Sequence, residues 1–123
     1  MITNDIFSKE EKRLLDFILN QDFANKAETV NYINSLNAES IVRDYSPHHI
    51  IMEFRTPNIK DGYFNMTAMV CVDIKKPDED IATVFTLYEK DGFPFEYEIY
   101  REDSSAMDIS TVLDGHFTVT RYQ

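Results

Sequence analysis

A chain of 123 residues, 43% of them hydrophobic, is long enough to bury a core as one domain spanning 1–123 and too apolar to remain disordered. Twelve Lys and Arg against 22 Asp and Glu leave a formal net charge of −10, which argues against binding nucleic acid or an anionic membrane, because phosphate recognition needs a cationic surface. The lone Cys71 allows no internal disulfide, and no Cys/His spacing suits zinc.

The opening MITNDIFSKEEKRLL has early acids and no apolar run, so it does not read as a signal peptide. No stretch approaches the roughly 20 apolar residues of a membrane helix, and the expected location is cytoplasmic. Ser8 and Glu11 form the pattern of a capping box, which predicts a helix from Lys9 to about Asn20. Leu14, Leu15, Ile18 and Leu19 make its apolar stripe, flanked by Phe17. A second helix is predicted from Asn25 or Lys26 to Asn37, with Glu28 in its first turn and Ala27, Val30, Ile33 or Tyr32, and Leu36 along its stripe.

After Glu39 the hydrophobic period changes from helical to alternating. A short strand covers Ile41 to Tyr45 and stops before Ser46-Pro47. A second runs from His48 to Arg55, with Ile50, Met52 and Phe54 on one side. Thr56-Pro57-Asn58 and Lys60-Asp61-Gly62 mark a loop. Tyr63 to Ile74 alternates most regularly: Phe64, Met66, Ala68, Val70, Val72 and Ile74 point to the core, and Tyr63, Asn65, Thr67, Met69, Cys71 and Asp73 away. Lys75 to Asp80 is a charged turn.

Ile81 to Asp103 is the stretch on which the rest depends, two strands joined at Lys90-Asp91-Gly92. With Asp91-Gly92 as a two-residue loop, Phe85 would oppose Glu98 and Leu87 would oppose Glu96. With a three-residue loop and Gly92 left-handed, Leu87 faces Phe95, Phe85 faces Tyr97, Thr83 faces Ile99 and Ile81 faces Arg101. The second register gives one coherent apolar side and is the one expected. Its other side carries Ala82, Val84, Thr86, Tyr88, Pro94, Glu96, Glu98 and Tyr100. Met107, Ile109, Val112 and Leu113 then form a helical turn or an irregular packed segment, Asp114-Gly115 turns, and Phe117, Val119 and Arg121 belong to a closing strand. The expected fold is α+β: two N-terminal helices packed on one face of a five- to six-stranded, mostly antiparallel sheet, the other face left open.

No pattern demands catalysis. Cys71 lies mid-strand without an activating base, as a half-buried hydrophobe would. His48 and His49 point to opposite sides of a strand, so they do not share a metal, and His116 reaches them only through long-range folding. Asp78-Glu79-Asp80 lacks the glycine and terminal glutamate of a calcium loop. Glu96 and Glu98 share a face, and Glu53 joins them if the strand order allows; without a cleft they read as solvated acids. Expected catalytic residues, metals and cofactors are therefore none. The distinctive feature is acids beside aromatics. Tyr88, Glu96, Glu98 and Tyr100 share the outer face, with Glu102, Asp103, Asp78, Glu79 and Asp80 near the same end of the hairpin. Tyrosines give contact area at low entropy loss, and carboxylates pair with Lys or Arg of a partner. The plainer reading of the same residues is a soluble sheet face.

The segment DGFPFEYEIYREDSS resembles the closing hairpin of small acidic bacterial immunity proteins encoded beside polymorphic or contact-dependent-inhibition toxins, and FSKEEKRLLDFIL resembles their first helix. The resemblance implies a protein that binds a cognate toxin domain, often a nuclease, and blocks it. It transfers no catalytic residues. The expected function is thus stoichiometric inhibition of a basic toxin domain by a monomer or weak homodimer. The alternative is a non-catalytic adapter or homodimerising domain that uses a strand edge or the open face.

Overall fold

The computed structural model describes residues 1–55 and 66–122. The two loop signals at 56–58 and 60–62, and the expectations for Tyr63, Phe64 and Asn65, lie outside the described residues.

Helix α1 spans Lys9–Leu19. Ser8 caps it by accepting from the Glu11 amide, and the Glu11 side chain accepts from the Ser8 amide, so the capping box is complete. Leu14, Leu15, Ile18 and Leu19 are each at most 2% exposed. Burying four such side chains contributes roughly 6 to 12 kcal/mol, which outweighs the marginal intrinsic stability of an eleven-residue helix. Packing therefore holds α1 in place. Helix α2 spans Lys26–Asn34 and is less firmly anchored, with Thr29 and Ile33 buried. Ala27, expected on its stripe, is exposed, and Leu36 is buried just beyond the helix end. The segment ahead of α1 also packs inward. Ile2 and Phe7 are buried, and Asn4 donates to the Ile33 and Leu36 carbonyls.

The strands are β1 (Ile41–Ser46), β2 (His49–Phe54), β3 (Thr67–Lys75), β4 (Thr83–Lys90), β5 (Phe93–Arg101) and β6 (Thr118–Tyr122). They form one antiparallel sheet in the order β1-β2-β5-β4-β3-β6, so the β4–β5 hairpin sits between β2 and β3. Both helices contact one face. The Phe17 ring lies 4.8 Å from that of Phe85, Tyr32 lies 5.2 Å from Phe93, and the buried Tyr97 hydroxyl donates to the Leu14 carbonyl at 2.7 Å. A second link joins α1 to the sheet edge. Arg43 Nε and the Tyr45 hydroxyl both donate to Glu11 Oε2, at 2.5 and 2.6 Å, and Glu11 is 4% exposed.

The hairpin register differs from expectation. Lys90 pairs with Phe93, so the loop is Asp91-Gly92, with φ of 54° and 85° as a type I′ turn requires. Glu89 then pairs with Pro94 but Tyr88 with Glu96, which makes Phe95 an extra residue. The bulge shifts the ladder and brings Phe85 opposite Ile99 and Leu87 opposite Tyr97. A tight turn plus a bulge thus replaces the three-residue loop. The predicted pairs were two residues off, and beyond the bulge a two-residue offset leaves the side chains on their expected faces; Phe95 and Pro94, at the bulge, do not keep theirs, and Pro94 lies beside Thr29 and Tyr32 of α2. Pro94 has no N–H to donate and is tolerated where the ladder is broken. Phe95 is buried apart from the central cluster, with Lys90 Nζ 5.4 Å from its ring centre.

A second bulge lies between Ala68 and Val70. It reverses two expected orientations: Ala68 is exposed, and Met69 packs partly against the core. The segment after β5 is irregular, with Val112 and Leu113 buried, and Phe117 meets Phe17 edge-on at 6.0 Å. Among the described residues no helix is long and apolar enough to cross a membrane.

Candidate partner-binding face

Cross-strand pairing sets out the helix-free face in three rows. One row runs Val42, Glu53, Glu96, Tyr88, Ala68. The next runs Asp44, Ile51, Glu98, Thr86, Cys71, Tyr122. The third runs Ser46, His49, Tyr100, Val84, Asp73, Thr120. Tyr88, Glu96, Glu98 and Tyr100 thus lie on neighbouring positions of β4 and β5, and Glu53 joins them because β2 pairs with β5.

The face is less wet than expected. Glu96 is only 5% exposed, Glu98 is half-buried, and Tyr100 is 36% exposed. The cause is position. β5 is an inner strand, so Glu96 stands between Glu53 on β2 and Tyr88 on β4, and those side chains take the space water would fill. Burial, then the charges of Glu98 and Glu53, push the Glu96 carboxyl up to about 7. Among the described residues no cation or hydrogen-bond donor meets that carboxyl. Burial also raises Glu98, an effect opposed by His49. Tyr88 and Tyr100 are raised by burial first and then by the charge of Glu98. Glu53 is paired with Arg55 at 2.8 Å.

The other acids at the hairpin base fall into two groups. Glu79 pairs with Arg101 at 3.1 Å, and Glu102 accepts from the Ala82 amide, so both carboxylates are already engaged within the fold. Asp78, Asp80 and Asp103 are exposed. Hydrogen bonds from Ser105 hold the Asp103 carboxyl below its ordinary value. The nine expected positions therefore form an inner set around Glu96 and Glu98 and an outer rim, two members of which are already committed to the fold.

Alternation turned His49 and Asp73 away from the core, but sequence reasoning did not group them, Asp44 or Tyr122 with the hairpin residues of this face. His49 Nε2 lies 3.2 Å from Asp44 Oδ1, and the Tyr122 hydroxyl donates to Asp73. All four are placed by long-range strand order, which no local pattern encodes. His48 turns the other way and its Nδ1 meets the Ser104 carbonyl at 2.9 Å. Cys71 Sγ lies 3.2 Å from Thr86 Oγ1 and lines a cleft of about 550 Å³ with Phe23, Met69, Arg121 and Tyr122. That cleft is three strand spacings, roughly 14 Å, from His49 and Glu53, so no acid–base partner reaches the thiol from β2. Among the described residues no three His, Cys, Asp or Glu side chains gather as a metal site would require. Comparison with protein-family models, curated proteins and solved structures finds no match for this chain.

Proposed function

We propose that this chain is an immunity protein, a non-catalytic inhibitor that binds a cognate basic toxin domain, a nuclease in the first instance, from the cytoplasmic side. The observation that carries the reading is Glu98, half-buried and flanked by Tyr88 and Tyr100, with Glu96 beside it and no Lys or Arg of the described chain opposite either acid. Such a site offers a cation both charge and aromatic walls. The net charge of −10 adds long-range attraction for a basic partner. The two resembling segments point to the same class of protein. Inhibition would work by occupancy, the acids taking the place of substrate phosphates.

The test is association with the basic toxin domain encoded beside this gene. Glu98→Lys is expected to slow association about tenfold or more at low salt and to flatten its salt dependence. Tyr100→Ala is expected to speed dissociation, because aromatic anchors act mainly on complex lifetime. Glu96→Lys does not serve as a surface probe, since it would bury an ammonium where a carboxyl now sits 5% exposed. Unchanged kinetics in both folded variants would remove this face from the interaction.

A further inference from the structure

Strand β6 is one edge of the sheet. It pairs with β3 on one side and, among the described residues, with no strand on the other. All five of its residues are exposed, Val119 at 43% and Tyr122 at 50%. An unpaired edge presents N–H and C=O groups that an added strand can satisfy. Of the six described strands β6 is also the one without a carboxylate; the others carry Asp44, Glu53, Asp73, Glu89, and Glu96 with Glu98. For a molecule of net charge −10, this is the edge where a second acidic molecule meets least repulsion.

The opposite edge, β1, is the competitor, and symmetry separates the two. When a strand pairs with its own copy about a two-fold axis normal to the sheet, opposed residues must share a face. An axis at the middle of β1 sets Arg43 against Arg43 or Asp44 against Asp44, and like charges directly opposed are destabilising. Arg43 and Tyr45 are moreover held by Glu11. An axis through Thr120 of β6 sets hydroxyl against hydroxyl, Val119 against Arg121 and Thr118 against Tyr122, with no like charges opposed. We propose that two copies of this chain pair antiparallel through β6, centred on Thr120, to make one continuous sheet of twice the width.

A five-residue ladder buries far less than the roughly 1,600 Å² of a stable interface, so the dimer is weak and forms with rising concentration. It leaves the Glu98 face open in both copies, because β3 and β4 separate β6 from β5. The proposal therefore stands or falls apart from the inhibitor reading.

Sedimentation of the full chain from micromolar to millimolar concentration is the test. The mass is expected to rise from one chain toward two. Thr120→Lys, which opposes two ammonium groups at the axis, should hold it at one chain with unchanged circular dichroism, and Thr120→Val should keep the rise. Should Thr120→Lys unfold the protein, isotope-filtered NOEs between copies of the unaltered chain at Thr120 decide the matter. A chain monomeric at millimolar concentration, a dimer that survives in folded Thr120→Lys, or a dimer abolished by Asp44→Lys on the other edge would each overturn the proposal.

Discussion

Replacing Glu96 by Gln should stabilise the protein at neutral and alkaline pH while leaving its acid-side stability unchanged. The carboxyl lies on β5 among Glu98 on its own strand, Glu53 of β2, paired with Arg55 just beyond that strand, and Tyr88 on β4. Burial and the two neighbouring carboxylates raise it from 4.5 to about 7. Below the lower value the proton is present in folded and unfolded chains alike. Between the two, the unfolded chain releases a proton that the fold retains, so this residue's contribution falls as pH rises and is fully lost above about 7. At roughly 1.4 kcal/mol per unit the whole interval is worth about 3 kcal/mol. Water reaching the half-buried Glu98 side screens part of this, leaving about 1 to 2 kcal/mol. Gln keeps the shape and cannot ionise. Urea unfolding of both proteins from about pH 4 to pH 8 should give curves that meet at the acid end and part by that amount at the alkaline end. Parallel curves, or a Glu96→Gln protein less stable throughout, would show that the carboxyl is solvated or hydrogen-bonded and would refute the burial argument.

Glu11 should behave in the opposite sense. Burial pushes its carboxyl up, but hydrogen bonds from Arg43, Tyr45 and Ser8 outweigh this and hold it below 4.5. Its contribution is therefore present above that value and lost as pH falls through the lower, folded one. Glu11→Ala, which breaks the cap and strands Arg43 and the Tyr45 hydroxyl, should cost about 2 to 4 kcal/mol in urea unfolding at neutral pH, and a loss under about 1 kcal/mol would deny the network its role. Gly92→Ala should cost about 1 kcal/mol, since φ of 85° at the turn suits glycine; thermal unfolding with no loss would mean the turn is not type I′.

Much of the fold was legible because local signals agreed. The Ser8–Glu11 capping box and the Leu14, Leu15, Ile18, Leu19 stripe gave α1 to within a residue. Period-two alternation gave β2, and it gave the two faces of the hairpin. The bulges at Phe95 and between Ala68 and Val70 were not legible, since a bulge leaves composition unchanged and only displaces the pairing beyond it. Ala27 failed on α2 because Thr29 and Ile33, not Ala27, face the sheet. For the candidate site, residues on one hairpin were found together, since a hairpin is local. Glu53, His49 and Asp73, set on the outward side by alternation, became neighbours of the hairpin residues through strand order, and the burial of Glu96 followed from β5 lying inside the sheet. Alternation shows which side a residue takes and is silent on how many strands flank it.

Inserting the β4–β5 hairpin between β2 and β3 also constrains how the chain can assemble. On emerging from the ribosome β1 and β2 can zip together at once, but the other side of β2, His49–Phe54, must wait for β5 to be synthesised. Meanwhile HIIMEF is a bare, sticky margin with one acid among its six residues. Only the arrival of β5 joins the two halves of the sheet, with the edge strand β6 alone still to come, so the nascent chain is most prone to clump just before the residues of β5 arrive.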